Sequence, residues 1–549
     1  MTLAIYYHPE AYSTSGPKLM GRNAAGESFL QGLISYSSTQ EFWAQVQSQE
    51  HASNFAEQVK KNGRSEPVKV FDKGSLDVLT KIGLLYFPGP SIGDLAFQRA
   101  AYGHGAWSLC GITHTTSSAG AMDDLSNLLT APVQPWDAVI CTSTAVKENV
   151  NRLLQANVEY LSERLGITKL VFPQLPVIPL GIQTKEFTFS NMEKFEARHS
   201  LGIGEDKLVV LYMGRLSFHA KAHPLAMYQA LELAAQQTGK KVVLIECGWH
   251  ANDFIAKAYK DAANLACPSV QVQVLDGRNT NDRKIAWATA DIFCSLSDNI
   301  QETFGIAPVE AMAAGIPVVV SDWNGYKDTV RHGVDGFRIP TLMPEAGLGN
   351  DLALRHAQEI DTYDMYCGHN CSLVAVDIEA TKNAFIALFQ SSHLRKKMGE
   401  SGRERALSTY DWKNIIGQYE RLWQELSELR LKESQKLKTL TWPWPARMNS
   451  FHAFGNYSTH KLKSNTFLEL VDSSLEIAIN RTHSYRSLAM IDFARFVVPV
   501  NKEINSVLEI AAKGPIAAID LLENIDVERK PFVFRGLVWL LKMGVLKVS

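Results

Sequence analysis

Two glutamates eight positions apart, Glu302 and Glu310, are the residues whose type and spacing most clearly indicate chemistry. They follow the apolar run 291–295, which is typical of a buried strand. Pro308 suits the first turn of a helix, where its missing N–H costs little, and Gly315 suits the end of that helix. The pattern predicts a strand, a loop carrying Glu302, and a helix carrying Glu310.

The segment between the glutamates, Phe304-Gly305-Ile306, is predicted to lie at the N-terminus of this helix. The first N–H groups of a helix have no partner within it, so they form an anion site that suits a diphosphate. Gly305 removes a side chain that would block close approach. One carboxylate can hold ribose hydroxyls while the other faces a sugar.

This block, extended by Glu-Ala-Met-Ala-Ala-Gly-Ile-Pro-Val-Val-Val, resembles the E-x7-E motif of retaining GT-B glycosyltransferases of family GT4. The resemblance is dense over 205–340 and thinner over 1–200. It implies two Rossmann-like domains facing across a cleft and a nucleotide-sugar donor. It also implies retention at the anomeric carbon and no required metal or other cofactor, because protein cations replace the metal. In these terms Glu310 binds the ribose and Glu302 binds the transferred sugar.

A second element, Gly214 and Arg215 followed by Lys221, comes directly after the apolar run 208–213. It is similar to the family's Gly-Arg…Lys element, whose cations grip the donor diphosphate. Arginine offers a planar fork and lysine a compact charge, and both would stabilise charge on the leaving diphosphate. His219-Ala220 stands where many relatives carry Pro-Glu, so the register of Lys221 is less secure than that of Arg215.

Three weaker features resemble other parts of the family's site. Arg278 follows a strand candidate and is placed at the nucleobase, with a plain surface arginine as the competing interpretation. Gly16 and Gly21 belong to a loop after the first strand that is similar to the family's flexible glycine loop; the alternative is a surface turn. His114 ends a strand candidate and resembles the histidine that contacts the donor sugar; the alternative is a satisfied, half-buried histidine.

Strand and helix patterns alternate along the first 340 residues, which predicts two doubly wound parallel sheets. Strand candidates are 3–7, 84–88, 109–114 and 138–143, then 208–213, 242–246, 270–275, 291–295 and 317–321, with amphipathic helices at 40–60 and 144–165. We predict an acceptor domain over 1–200 and a nucleotide-sugar domain over 201–440, interrupted by a polar inserted loop at 341–372. A small, mainly helical or winged-helix module follows over 441–549.

Composition excludes some classes of function. A formal net charge of −2 over 549 residues argues against a general electrostatic grip on nucleic acid. Seven cysteines, mostly in apolar runs, indicate a reducing compartment. We expect no secretory signal, because the opening apolar run 3–7 is short and has no charge in front of it, and no membrane span, because no apolar run approaches about 18 residues. We therefore expect a cytoplasmic protein, with contact at a membrane surface left open.

The predicted function is transfer of a hexose from a nucleoside-diphosphate sugar to a hydroxyl of a glycan, lipid or small molecule. A non-catalytic nucleotide-sugar sensor, an epimerase and a phosphorylase are the competing interpretations. An epimerase should lack the paired-glutamate block, and a phosphorylase should show a pyridoxal phosphate lysine. Cys367, His369 and Cys371 form one compact group, whereas a structural zinc site normally needs four ligands, so we expect no metal there.

Overall fold

A computed structural model describes residues 2–13, 21–437, 440–472 and 474–549. The chain forms two compact units, one ending at Pro445 and the other running from Ala446 to Ser549. The first unit contains two parallel sheets of six strands each. In both sheets the strand order is that of a doubly wound Rossmann-like domain. The predicted GT-B arrangement of two such domains is confirmed.

The first sheet has the order β3-β2-β1-β4-β5-β6, with every neighbouring pair parallel. Its strands are β1 (Ala4–Tyr6), β2 (Phe42–Gln45), β3 (Val68–Phe71), β4 (Leu84–Tyr86), β5 (Ser108–Ile112) and β6 (Ala138–Ile140). Its helices are α1 (Gly21–Tyr36), α2 (Gln49–Lys61), α3 (Leu79–Ile82), α4 (Ile92–Ala100), α5 (Ala119–Asn127) and α6 (Thr144–Leu165).

One sequence prediction in this domain is wrong. Residues 40–60 were expected to form a single amphipathic helix, but the structure makes Phe42–Gln45 the strand β2 and begins α2 at Gln49. Strand β2 lies between β1 and β3, so its backbone groups pair on both sides. The side chain of Ser48 caps the helix by accepting the N–H of His51. Strand pairing and this cap outweigh the helical periodicity.

The second sheet repeats the first in the order β9-β8-β7-β10-β11-β12. Its strands are β7 (Lys207–Met213), β8 (Lys241–Gly248), β9 (Gln271–Asp276), β10 (Ile292–Ser295), β11 (Val318–Ser321) and β12 (Gly336–Ile339). Its helices are α7 (Asn191–Ser200), α8 (Leu225–Thr238), α9 (Asp253–Ala266), α10 (Thr280–Thr289), α11 (Ile306–Ala313) and α12 (Tyr326–Thr329). The five predicted strands are present, and β12 is an edge strand that the sequence did not show.

The segment 341–376, called the inserted segment below, is not the loop that the sequence suggested. It contains the antiparallel pair β13 (Thr341–Leu342) and β14 (Ala375–Val376), and between them α13 (Asn350–Ala357) and α14 (Tyr363–Cys371). Helix α14 is capped by Thr362, whose side chain accepts the N–H of Met365. The polar composition reflects exposed helix faces rather than an absence of secondary structure.

Three helices end the first unit: α15 (Ile378–Gln390), α16 (Ser392–Arg405) and α17 (Trp412–Glu433). Helix α17 follows the second sheet in sequence but packs against α1 of the first domain. Trp412 is fully buried, and its indole N–H donates to Ser28 Oγ at 2.7 Å. Gly32 and Gly181 leave room for the indole, since a Cβ on either would lie within 2.6 Å of it. This tryptophan therefore ties the end of the second domain to the first.

The second unit combines helices with a small antiparallel sheet of order β16-β15-β17. Its strands are β15 (Phe467–Leu470), β16 (Ile516–Ala517) and β17 (Leu546–Val548), and its helices are α18 (Ser450–Ala453), α19 (Leu475–Arg486), α20 (Ala489–Asp492), α21 (Asn501–Ala511) and α22 (Lys530–Lys542). Val507, Leu508 and Leu537 are fully buried in its own core. No helix in the described parts of the chain is both long enough and apolar enough to cross a bilayer.

Candidate active site

The N-terminus of α11 has the geometry that an anion site needs. Gly305 precedes the helix with φ +87°, a left-handed conformation that favours glycine. A Cβ there would lie 2.0 Å from the ring of Tyr326, so glycine is also required by space. Phe304 is buried and packs edge-on against Tyr410, with ring centroids 5.9 Å apart. The helix begins at Ile306, where the sequence predicts its first turn.

Lys221 and Glu302 form an ion pair at the loop that precedes α11. Lys221 Nζ lies 2.6 Å from Glu302 Oε2, and the Glu302 side chain is only 8% exposed. Burial alone would raise the pKa of Glu302. The Lys221 ammonium and the N–H groups of Thr303 and Phe304 outweigh burial and hold that pKa below its ordinary value. Glu302 is therefore an ionised carboxylate in a nearly dry place, able to accept hydrogen bonds from hydroxyls.

Arg215 lies in the same loop cluster as this pair. Its guanidinium donates to Ala220 O at 2.7 Å and to Gln301 Oε1 at 3.4 Å. Gly214 has φ +151°, and a Cβ on it would stand 3.6 Å from Lys221 Cε. The fold thus brings Arg215 beside Gln301 and Lys221 beside the next residue, Glu302. The two cations that the sequence assigned to a diphosphate thus contact consecutive residues of the loop that precedes α11.

Glu310 lies one turn into α11 and is partly buried. Burial raises the pKa of Glu310 to about 7, although the Arg283 guanidinium lowers it and Glu186 raises it further. Arg283 is in α10 and donates to Gly277 O at 3.0 Å. Sequence reasoning missed Arg283. The signal was a basic residue one turn into the helix that follows the strand end at Gly277.

Arg278 lies apart from this group. Its guanidinium is bound to the Asp276 carboxylate at 2.9 Å, and its side chain is 61% exposed. The charge beside Glu310 comes from Arg283, which is five residues further along the chain. The assignment of Arg278 to a nucleobase pocket stays a prediction.

The first domain meets the second at Thr303. Thr303 Oγ1 donates to the carbonyl of His114 at 3.3 Å, and Ser143 Oγ donates to the carbonyl of Thr303 at 2.7 Å. His114 follows β5 and Ser143 follows β6, so the carboxyl edge of the first sheet touches the loop that carries Glu302. In this architecture, ligands bind beyond that edge.

The predicted glycine loop is covered only in part. Gly16 lies outside the described residues. Gly21 is exposed and is the first residue of α1, and among the described residues no atom lies within 4 Å of a Cβ added to it. The role of both glycines stays a prediction.

Two further buried carboxyl groups lie in the second domain and were not singled out from the sequence. Asp298 accepts the N–H of His223 at 3.3 Å, and Glu246 accepts the hydroxyl of Tyr228 at 2.5 Å. Burial raises the pKa of each carboxyl group to about 7. Both therefore change protonation in the same pH range as Glu310.

Cys367, His369 and Cys371 do not converge. His369 Nδ1 lies 3.2 Å from Asp361, while Cys371 Sγ faces the carbonyl of Gly368 at 3.2 Å. No group of three or more His, Cys, Asp or Glu side chains in the described ranges is arranged to hold a metal ion.

Comparison with known proteins finds glycosyltransferases among the proteins that resemble this chain. Residues 193–346 match the family model "Glycosyl transferases group 1". The uncharacterized glycosyltransferase MJ1607 of Methanocaldococcus jannaschii is 29% identical over 175 residues, covering 32% of this chain and 43% of that protein. The D-inositol 3-phosphate glycosyltransferase of Actinosynnema mirum is 27% identical over 260 residues, and the match covers 46% of this chain and 58% of that protein.

A third relative is the phosphatidyl-myo-inositol mannosyltransferase of Mycobacterium leprae, 29% identical over 143 residues, or 26% of this chain and 28% of that protein. The chain thus spans less than two thirds of the length of each of these curated relatives.

Among solved structures, Anabaena Alr3699/HepE in complex with UDP has a similar fold, with a TM-score of 0.50 and 16% sequence identity. The match covers 77% of this chain and 100% of the Anabaena chain. That likeness shows the shared fold. Residues 193–346 thus carry a domain similar to the glycosyl transferases group 1 family, within a chain that has the GT-B fold of two Rossmann-like domains.

Proposed function

We propose that this protein transfers a hexose from a nucleoside-diphosphate sugar to an acceptor hydroxyl, with retention at the anomeric carbon. The observation that carries the proposal is the ion pair of Lys221 with Glu302, 2.6 Å apart, in the loop that precedes α11, where Arg215 contacts the neighbouring Gln301. The site offers two cations and helix N–H groups to a diphosphate. It also offers one ionised carboxylate to sugar hydroxyls.

The cations act on the charge that grows during the reaction. As the bond from the anomeric carbon to the phosphate oxygen breaks, negative charge collects on the leaving diphosphate. Arg215, Lys221 and the N–H groups at Gly305 and Ile306 would stabilise that charge in a site with little water. Because protein groups supply the cations, the proposal calls for no metal or other cofactor.

The two glutamates bind different parts of the donor. Glu302 accepts hydrogen bonds from the transferred sugar, since its carboxylate is ionised and nearly dry. Glu310 accepts hydrogen bonds from the ribose, four residues after the helix start. His114, whose carbonyl is bound to Thr303, completes the sugar site from the first domain.

We propose a front-face displacement for the retaining step. The acceptor oxygen bonds to the anomeric carbon on the face from which the diphosphate departs, and the acceptor proton passes to the leaving phosphate oxygen. This route needs no protein nucleophile. The fully buried first-domain carboxylate Asp137 is bound to Arg99 at 2.5 Å, so it is not free to act as one.

The acceptor belongs to the carbohydrates, lipids or small polyols. Two relatives are named for inositol derivatives: one for D-inositol 3-phosphate and the other for phosphatidyl-myo-inositol, which is a lipid. We therefore propose that a polyol hydroxyl accepts the sugar in the cytoplasm, at the membrane surface if the polyol is carried on a lipid. Nucleic acid is not among the proposed partners.

The test is a donor panel. The full chain is incubated with UDP-, GDP-, ADP- and dTDP-hexoses, with myo-inositol, simple sugars and phosphatidylinositol vesicles as acceptors. Released nucleoside diphosphate and the glycosylated product are followed by mass spectrometry. NMR of the product then gives the anomeric configuration. Turnover with retention supports the proposal; tight binding without turnover would instead indicate a nucleotide-sugar sensor, and an inverted product would remove the front-face step.

A further inference from the structure

The hydroxyl group of Tyr363, in helix α14 of the inserted segment, contacts the first domain. Tyr363 Oη lies 3.2 Å from Thr115 Oγ1 and 3.2 Å from Ser117 Oγ, and those two hydroxyls lie 3.1 Å from each other. A tyrosine hydroxyl can both donate and accept a hydrogen bond. The three groups therefore close a small hydroxyl cluster. Thr115 directly follows His114 and Ser117 lies three residues after it, so this cluster holds the loop that carries the proposed sugar-binding histidine.

The same helix packs on the loop that carries the two cations. A Cβ on Gly368 would lie 3.0 Å from His219 Cβ and 3.3 Å from its carbonyl oxygen. Cys371 Sγ lies 3.8 Å from the carbonyl oxygen of Phe218. Phe218 and His219 lie between Arg215 and Lys221 in the chain. Helix α14 is thus in contact with the cation loop on one side and the His114 loop on the other.

Cys367 lies in the buried part of the contact between α14 and the two loops. It is completely buried, and burial raises the pKa of its thiol to about 11. The hydroxyls of Tyr363 and Ser117 and the charge of Arg215 all act on that thiol in the opposite direction. One buried side chain of α14 therefore has groups from the inserted segment, the first domain and the donor site as neighbours.

We propose that Tyr363 is a positioning residue, which holds the His114 loop in register with the cation loop and so sets the geometry of the closed cleft. The His114 loop is then fixed at two points, by Thr303 on the carbonyl of His114 and by Tyr363 on Thr115 and Ser117. This inference rests on the proposed function. It gives the inserted segment a role in sugar transfer beyond packing.

The test uses Tyr363→Phe in the full chain, which removes the hydroxyl and keeps the ring. The matched control is Tyr366→Phe on the same helix, where the ring stacks on His356 at 4.0 Å. Loss of one hydrogen-bonding group should lower kcat for transfer about 3- to 10-fold. The affinity for nucleoside diphosphate should stay within about twofold, because Tyr363 does not contact the donor-binding groups directly. Donor hydrolysis should rise relative to transfer, since a looser cleft admits water.

A double-mutant cycle tests the contact itself. If Tyr363 acts through the two hydroxyls, Tyr363→Phe added to Thr115→Val/Ser117→Ala should cause no further loss of kcat. Equal behaviour of Tyr363→Phe and Tyr366→Phe, or losses that multiply in the triple variant, would overturn the proposal.

A readout without turnover keeps this inference separate from the proposed function. Amide hydrogen exchange over residues 113–118 should be faster in Tyr363→Phe than in the wild type and in Tyr366→Phe. If the wild type shows no sugar transfer, the proposed function fails, while the exchange result still decides whether Tyr363 holds the loop. Unchanged exchange in Tyr363→Phe would show that it does not.

Discussion

Lys221 Nζ lies 2.6 Å from Glu302 Oε2, although the two residues are 81 positions apart in the chain. The contact joins the loop after β7 to the loop after β10, which are neighbouring strands at the centre of the second sheet. A cation and a carboxylate are thus in contact at the carboxyl edge of the sheet. Lys221 helps to keep the Glu302 carboxylate charged in a place where burial alone would raise its pKa.

Replacing Lys221 by Met should weaken binding of nucleoside diphosphate at least about tenfold, because a charge-assisted contact to phosphate is worth about 1.5–3 kcal/mol. Titration calorimetry with UDP, GDP and ADP measures this loss. Lys240→Met, an exposed lysine of the same domain, is the matched control and should leave affinity unchanged. Equal affinities for the two variants would show that Lys221 does not contact the diphosphate.

The same pair makes a prediction about stability. Lys221→Met leaves the Glu302 carboxylate buried without its ion-pair partner, which is costly. The double variant Lys221→Met/Glu302→Gln removes that charge and should melt at a higher temperature than Lys221→Met alone. Thermal unfolding of the wild type and both variants gives the comparison. A double variant less stable than the single one would contradict the buried ion pair.

Donor binding should depend on pH through Glu310, whose pKa burial raises to about 7. Below pH 7 this carboxyl is mostly neutral and accepts ribose hydroxyls poorly, so the KM for donor should rise as pH falls from 8 to 6. The diphosphate of a nucleotide sugar does not titrate in this range. The raised pKa has the opposite effect on the stability of the folded protein without donor. Ionised Glu310 lowers the free energy of unfolding above pH 7, and this loss becomes smaller as the pH falls from 7 toward the pKa of Glu310 in the unfolded chain.

Glu310→Gln separates this effect from the other buried carboxyl groups. Asp298 and Glu246 also have pKa values raised to about 7 by burial, so the wild-type pH profile contains their contributions. The Gln variant should show a higher KM at pH 8 and a flatter KM profile. If the wild type and Glu310→Gln give parallel profiles, the pH dependence comes from elsewhere.

The sequence predicts the strands and helices around the candidate site better than the contacts within it. Strand β7 is recognisable from its apolar run, and Gly305 and Pro308 indicate where α11 begins. The pairing of Lys221 with Glu302 is a property of the folded sheet, since only the strand order brings the two loops together. The sequence predicts helix where β2 lies, because four residues are too few to show strand alternation before the pattern of α2 begins. Tyr363 was missed for the same kind of reason: its hydroxyl partners lie 246 and 248 positions away.

Gly305→Ala should destabilise the first unit far more than Gly333→Ala. Both glycines have positive φ, +87° and +75°, so each substitution incurs a left-handed cost of about 1–2 kcal/mol. Only Gly305 also faces a ring, with Tyr326 2.0 Å from the added Cβ. Overpacking adds about 1–3 kcal/mol.

Thermal unfolding measures the difference between the two glycine variants. Midpoints are compared rather than free energies, because a chain of two units need not unfold in one step. Similar midpoints for the two variants would contradict the packing of Tyr326 on Gly305.

The buried pair of Arg99 and Asp137 should be essential for the first domain. Both side chains are 0% exposed, and the carboxylate accepts two guanidinium N–H groups and two backbone N–H groups. Asp137→Asn should therefore cost about 3–5 kcal/mol, since it leaves a buried charge without its partner. Lys241→Met, which breaks the exposed pair with Asp206, should have little effect. Urea unfolding of both variants makes the comparison, and a mild effect of Asp137→Asn would show that water reaches the pair.

The most direct test of the account is donor turnover by Glu302→Gln, compared with the wild type and with Glu196→Gln, an exposed glutamate of α7. We predict that Glu302→Gln still binds nucleoside diphosphate but releases it from the preferred nucleotide sugar at least about 100-fold more slowly, the scale expected when one transition-state contact is lost. Glu196→Gln should match the wild type. Wild-type rates of release from Glu302→Gln would contradict the claim that this carboxylate holds the transferred sugar.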